Sequence, residues 1–421
     1  MNKPIVAAFA VTMSALSIHP ALAQSPEDTA AAALEAAPVW DGHNDVPIQL
    51  RSRFRNMIAD FDFRDTGDTG ADDGSAGIMH TDLMRLKRGK VGAQFWSVYV
   101  TAALDESEAV QAVIEQIDVT KRLIARYPGD LAIALTADDV EAAIANGRIA
   151  SLMGMEGGDA IGSSLAVLRQ TYDLGARYMT LTHSKNTPWA DSATDEPEHD
   201  GLTDFGRDVI REMNRIGMLV DLSHVSEATM HDVLDVAKAP VIFSHSGARA
   251  VNGHARNVPD SVLQKLTANG GVVMVVGLPA FLNEDARQWG ARRDAEAARL
   301  ASLWRGQGAE AERRLEAWTA ANPMPLATIA DMADHIDHVR KMAGVEAIGI
   351  GGDYDGMPTG PVGMEDVAGY PALFTELARR GYTQSELEAI SFGNMMRAMR
   401  SAETYKISIA GMAPIETPVA D

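Results

Sequence analysis

Short, nearly continuous apolar runs recur along the chain. They are "PVWDGHND" from Pro38, "VGAQFWSVYV" from Val91, "IASLMGMEGG" from Ile149, "ARYMTLTHS" from Ala176, "GMLVDLSH" from Gly217, "PVIFSHS" from Pro240, "GGVVMVVG" from Gly270 and "EAIGIGGDYDG" from Glu346. Between most of them lie stretches with apolar residues at helical spacing, such as "ESEAVQAVIEQIDVTKRLIARY" and "LTDFGRDVIREMNRIG". A run without polar alternation suits a strand buried on both faces, and strands separated by helices pair in parallel. Eight such units in 421 residues predict an α/β fold, a (β/α)8 TIM barrel. An open doubly wound sheet is the competing architecture, but it calls for a glycine-rich phosphate loop after its first strand, and none is present.

Two segments exceed a plain barrel. Residues 63–77, "FRDTGDTGADDGSAG", are polar and glycine-rich and read as a loop over the barrel mouth. Residues 283–322, rich in Ala, Arg and Glu, read as a helical insertion between strands seven and eight. The barrel is expected over 24–405, with 406–421 as a loose tail.

The first 23 residues form a separate unit. Lys3 precedes the apolar "PIVAAFAVTMSALSI", and Ala21 and Ala23 then give the A-x-A pattern of a signal-peptidase site. The run is short for a membrane span. The expectation is a cleaved leader, a mature chain from Gln24 without a membrane anchor, and a periplasmic or secreted location; a retained N-terminal anchor is the alternative.

Composition narrows the chemistry. Cysteine is absent, which excludes disulfides, thiolate ligands and a cysteine nucleophile together. With 37 basic against 58 acidic side chains the net charge is −21, which repels phosphate backbones, so no nucleic-acid partner is expected.

The runs end in a particular set of residues: His43 and Asp45, Glu156, His183, His224, His245, and Asp353 with Asp355. In a barrel those strand ends converge on one face. His43 and Asp45, two apart in a strand, would share a face and make half a metal cage, or simply a hydrogen-bonded pair. Jointly, the cluster would be costly to bury without a cation. His43 and Asp45 could hold one divalent ion, and His224 and His245 another. Glu156 would bridge them. All-nitrogen and oxygen ligation suits zinc, with manganese or cobalt as alternatives. His335 and His338, three apart on an expected helix, could share a face, whereas His80, His199, His231 and His254 read as loop or surface residues, His254 near the rim.

Taken together and in this order, "WDGHNDVP", "AQFWSVYV", "MEGG", "LTHSKNTPWADS", "DLSHVS", "VIFSHS", "ARNVPD" and "GGDYDG" resemble the membrane (renal) dipeptidase family, binuclear zinc peptidases on an amidohydrolase-type barrel. The resemblance runs from about residue 38 to about residue 400. It implies two zinc ions per chain, with His43 and Asp45 on one, His224 and His245 on the other and Glu156 between. It also implies that His183 and Arg256 bind a dipeptide substrate and that Asp353 stands beside the metals. The chain departs from the animal members in lacking cysteine, in having Lys185 where some have cysteine, and in ending without a hydrophobic anchor-attachment tail. These departures bear on membrane attachment and disulfide-linked dimerisation and leave homodimerisation open.

The chemistry implied is attack of a metal-bridging hydroxide on a peptide carbonyl, with His183 and Asp353 as the catalytic side chains. His183 would stabilise the oxyanion, Arg256 would grip the C-terminal carboxylate, and Asp353 would carry the proton to the leaving amine. Another metal-dependent amidohydrolase, such as a deacylase or lactonase, is the alternative enzyme, and a secreted metal- or peptide-binding protein the non-enzymatic one.

Overall fold

The computed structural model describes residue 1, residues 24–70 and residues 77–418. Residues 2–23 of the expected leader and the middle of the glycine-rich loop lie outside these. Among the described residues there are nine strands: β1 (Val39–Asn44), β2 (Val91–Tyr99), β3 (Leu131–Ile133), β4 (Ile149–Glu156), β5 (Ala176–Thr180), β6 (Leu219–Asp221), β7 (Ile242–Ser246), β8 (Val272–Val276) and β9 (Ile348–Gly351). All pairings are parallel. The order β2-β1-β9-β8-β7-β6-β5-β4 is closed by β2 pairing with β4, so the eight expected strands form a (β/α)8 barrel. The ninth, β3, is unexpected. It pairs only with Ile149–Ser151 of β4, below the point where β5 takes over at Met153, and three residues are too few to carry a periodic signal.

The unbroken apolar runs are explained by what each strand faces. In β2, Ala93 and Phe95 pack in the barrel interior while Trp96 and Val98 pack under the surrounding helices. In β8, Val272 and Met274 point in, and Val273 and Val275 point out. Both faces are dry, so neither can be polar. At the strands' N-terminal end the interior cluster is completed by Met395, Met396 and Met399 of the helix Asn394–Ser408. The opposite end is therefore left for the loops that carry the chemistry.

The interior is tight where it meets the site. A methyl group on Gly154 of β4 would overlap the ring of Tyr178, which is fully buried. Gly154→Ala is expected to destabilise the fold by about 3 kcal/mol, read as a lowered denaturation midpoint at unchanged slope.

Between β8 and β9 the chain carries two long helices, Glu284–Leu303 and Gly308–Ala321. They are held to each other by Trp289 and Trp318, whose rings lie 6.3 Å apart, and no residue of the second is buried. At the C-terminus, helix Asn394–Ser408 runs past residue 406, and the segment beyond it docks. The N–H of Ile415 donates to Glu212 (3.2 Å), and its carbonyl accepts from Arg169 (3.2 Å). The region expected to be loose is thus tied to the barrel through buried Glu212, and it starts later than the pattern suggested. Residues 419–421 lie outside the described residues.

Candidate metal centre

His43 enters the site from the end of β1, where the β1–β2 register slips between Asp41 and Asn44. Buried Asp41 fixes that bend by accepting from the N–H groups of His43 (3.1 Å) and Gly352 (2.8 Å) and from the Tyr370 hydroxyl (2.6 Å). The strand stops at Asn44. Asp45 is the N-cap residue of the helix Val46–Phe54, and its N–H donates to the Tyr354 carbonyl (2.9 Å). The two-residue strand spacing is therefore not what pairs His43 with Asp45; a strand end and a helix cap bring His43 Nε2 to 3.3 Å from Asp45 Oδ2.

Glu156, the last residue of β4, sits at the centre. Its Oε2 lies 3.3 Å from His43 Nε2 and accepts from Ser97 Oγ (3.0 Å). Its Oε1 lies 3.0 Å from His224 Nε2, 3.5 Å from His245 Nε2 and 3.7 Å from His183 Nε2. One carboxylate thus meets four imidazoles. Of these imidazoles His43 and His245 lie inside strands, whereas His183 and His224 stand three residues past β5 and β6, and Asp353 stands two past β9. His224 (φ +71°), Asp353 (φ +63°) and Asp355 (φ +67°) hold the left-handed backbone, a strain of about 1–2 kcal/mol each for a side-chain-bearing residue. The Asp353 N–H is held by the His43 carbonyl (3.1 Å).

The donor set fits divalent metal. His43–Glu156–His245, Glu156–His183–His224 and His43–Asp45–Asp353 each bring ligand atoms within 4.8 Å of one another. Tautomers are set by hydrogen-bond chains behind the rings. Ser244 Oγ donates to Asp221 (2.7 Å) and so accepts from His245 Nδ1 (2.8 Å), leaving Nε2 as a lone pair. Tyr178 donates to the Gly42 carbonyl (3.4 Å) and accepts from His43 Nδ1 (2.9 Å), with the same result. His43 Nε2 is buried without a hydrogen-bond partner, and the Nε2 atoms of His224 and His245 stand 3.0 Å apart. Lone pairs aimed at each other and at carboxylates are repulsive unless a cation lies among them.

Electrostatics draw positive charge to the cluster: burial works to lower His43, yet Tyr178, Glu156 and Asp45 outweigh it and hold this imidazole well above its usual value. Burial works to raise Glu156, yet His43, His224 and His183 outweigh it and hold this carboxyl well below its usual range. Burial, then the neighbouring Asp45, pushes Asp353 well above its own. His224 and His245 are held well below the usual imidazole value by burial, with Arg256 adding to the effect, so both are neutral donors.

A cavity of about 310 Å³ opens above Glu156, with Tyr99, Leu278, Phe281 and Arg256 in its walls. Arg256 is 2% exposed, and burial lowers it to about 10. Among the described residues its guanidinium makes only two long contacts, to Ser246 Oγ (3.4 Å) and the His245 carbonyl (3.3 Å), and its Nε has no partner. The Phe281 ring lies 5.3 Å from its charge. His183, packed between the tilted rings of Tyr99 and His224 with centroids 4.7 and 4.2 Å away, faces the same cavity. All eight residues expected at the site, namely His43, Asp45, Glu156, His183, His224, His245, Arg256 and Asp353, are therefore gathered in one place.

The sequence reading missed the supporting residues Ser97, Tyr178, Asp221 and Ser244. Each sits within a strand and reads as filler; only position in space separates them from core. Asp355 belongs to the loop contact rather than to the cluster: it accepts from the His80 N–H (2.8 Å) and returns its own N–H to His80 Nδ1 (3.1 Å). His335 and His338 do not converge, since His338 meets Asp260 (2.7 Å) while His335 turns into the interior.

The chain is 39% identical over 394 residues to Dipeptidase 3 of Rattus norvegicus, covering 92% of this chain and 70% of that protein. Among solved structures it superposes on the probable dipeptidase PvdM of Pseudomonas aeruginosa with a TM-score of 0.76 at 23% identity, covering 90% of this chain and 99% of that one. It superposes on a Rhodobacter sphaeroides metallopeptidase, liganded with a phosphinate mimic of the dipeptide L-Ala-D-Ala, with a TM-score of 0.69 at 24% identity, covering 87% and 99%. The family model of the membrane dipeptidases matches residues 27–411, nearly the whole described chain, and the chain belongs to that family, peptidase family M19.

Proposed function

We propose that this protein is an exported dipeptidase that works with two zinc ions per chain. His43 and Asp45 hold one, His224 and His245 hold the other, and Glu156 is shared. The observation that carries this reading is the pairing, in one small cavity, of a carboxylate ringed by imidazoles with a buried, under-bonded guanidinium. When bound, such a metal pair supplies an acidified water as nucleophile and a Lewis acid for the scissile carbonyl. The chain's own groups do the rest. Arg256 takes the substrate's free C-terminal carboxylate, so short substrates are selected and the scissile bond is registered over Glu156. His183 donates to the carbonyl oxygen as it gains charge. Asp353, kept protonatable by burial and by Asp45, passes a proton to the departing amine. Export rests on the A-x-A pattern at Ala21 and Ala23; N-terminal sequencing of secreted protein should begin near Gln24, and recovery of Met1 in membranes would overturn it.

The test is a panel of L,L and L,D dipeptides with tripeptide controls and C-terminal amides. The panel includes D-residues because the Rhodobacter protein is liganded with a phosphinate mimic of L-Ala-D-Ala. Amidating the substrate removes a charge-assisted contact of about 1.5–3 kcal/mol, so kcat/KM should fall by about ten- to a hundredfold. Arg256→Leu should lose a similar factor on free dipeptides and little more on amides, with metal content unchanged. If wild type cleaves amides and acids alike, the alternative gains ground: a deacylase or lactonase that needs no neighbouring carboxylate.

A further inference from the structure

The loop that carries Arg256, residues 247–258 after β7, and the helical turn that carries Phe281, Pro279–Leu282 after β8, come from different strands, yet both form the same wall of the cavity. They are tied by two side chains. His335, on the helix Ile329–Ala343 behind them, is 0% exposed; its Nδ1 accepts from the Ala248 N–H (2.8 Å) and its Nε2 donates to the Leu282 carbonyl (3.1 Å). Asn257, also fully buried, accepts from the Gly247 N–H (2.9 Å) and donates to the carbonyls of Asn252 (2.9 Å) and Phe281 (2.8 Å). Both ring nitrogens of His335 are used, one as acceptor and one as donor, which only the neutral ring can do. Burial holds it there, down to about 4.

Gly247 shows how close the clamp is. A methyl there would stand 2.6 Å from both Asn257 Oδ1 and His335 Nδ1. The front of the loop is tied as well: His254 Nδ1 accepts from the Arg256 N–H (3.1 Å), and its ring lies 4.3 Å from that of Phe281. The guanidinium itself has almost no bonds to hold it, so its place depends on the backbone beneath.

We propose that His335, with Asn257, is a positioning residue for the carboxylate end of the substrate pocket. It sets the separation of Arg256 and Phe281 without touching substrate or the metal ligands. This rests on the dipeptidase reading, in which Arg256 meets the C-terminal carboxylate. Lost positioning of a binding group falls on KM rather than kcat.

The variant to make is His335→Gln, whose amide keeps the donor toward Leu282 and loses the acceptor for Ala248. Thermal melting confirms folding before kinetics. The expected result is a rise of about tenfold in KM for free dipeptides with kcat within about twofold, and no further rise when the change is placed in the Arg256→Leu background. Should His335→Gln fail to fold, Asn257→Ala breaks the same tether from the loop side and is held to the same outcome. An unchanged KM in a folded variant, or an equal KM rise with Arg256 already removed, overturns the proposal. Wild type inactive on every dipeptide would instead overturn the dipeptidase reading, so the two failures are distinct.

Discussion

Glu156→Gln is expected to abolish activity and to cost the protein its metal at both positions. The two Glu156 oxygens divide the cluster: Oε2 faces His43 and Oε1 faces His224 and His245. An amide keeps the shape but presents one oxygen and one donor NH2. One half of the cluster then loses its anionic ligand while the other loses most of the charge that offsets a dication. Loss of Lewis-acid chemistry is worth several kcal/mol, so kcat/KM should fall by about a thousandfold or more. Elemental analysis should show less than one ion per chain after dialysis. His43→Ala, which touches one oxygen only, should retain the ion on the His224–His245 side. Full activity with a single ion in wild type would contradict the shared carboxylate.

Asp353→Asn carries the second large effect, and it separates two roles that geometry alone leaves adjacent. Asp353 lies among the donors with His43 and Asp45, and burial and Asp45 also push its carboxyl well toward the protonated form. As a proton carrier it should lower kcat by about 10²–10⁴ when replaced by an amide, with metal content and KM held. As a ligand it should lose metal instead. The expected outcome is the first. Asp353 owes its place to a left-handed turn and to one bond with the His43 carbonyl, while His43 already faces both Asp45 and Glu156.

Much of this site was readable from the chain because a barrel converts order into place. Once eight buried runs are recognised, whatever stands at their C-terminal ends must share one face, and His43, Glu156 and His245 follow from that alone. Arg256 had no such warrant, since it lies eleven residues past His245 on a loop. Motif resemblance, not periodicity, singled it out, and its buried, under-bonded state emerged only in three dimensions. The His43–Asp45 pair was expected for a reason that does not hold, because β1 ends before Asp45. His335 shows the opposite failure. Its helical spacing with His338 suggested a shared face, whereas one ring is buried against two backbones and the other meets Asp260.

By itself, then, the sequence determined the strand number of the barrel, the face on which chemistry sits, and the residue types offered there, because burial on both faces leaves a continuous apolar record and strand ends have a fixed direction. Only the tertiary structure decided which nitrogen of each histidine faces Glu156, that the buried Arg256 guanidinium is under-bonded, and that His335 and Asn257 hold the wall around it. Those properties belong to hydrogen bonds between residues as many as 135 positions apart, as between His43 and Tyr178. A side chain's type and spacing record its own burial, but not the partner that a distant strand or helix brings to it.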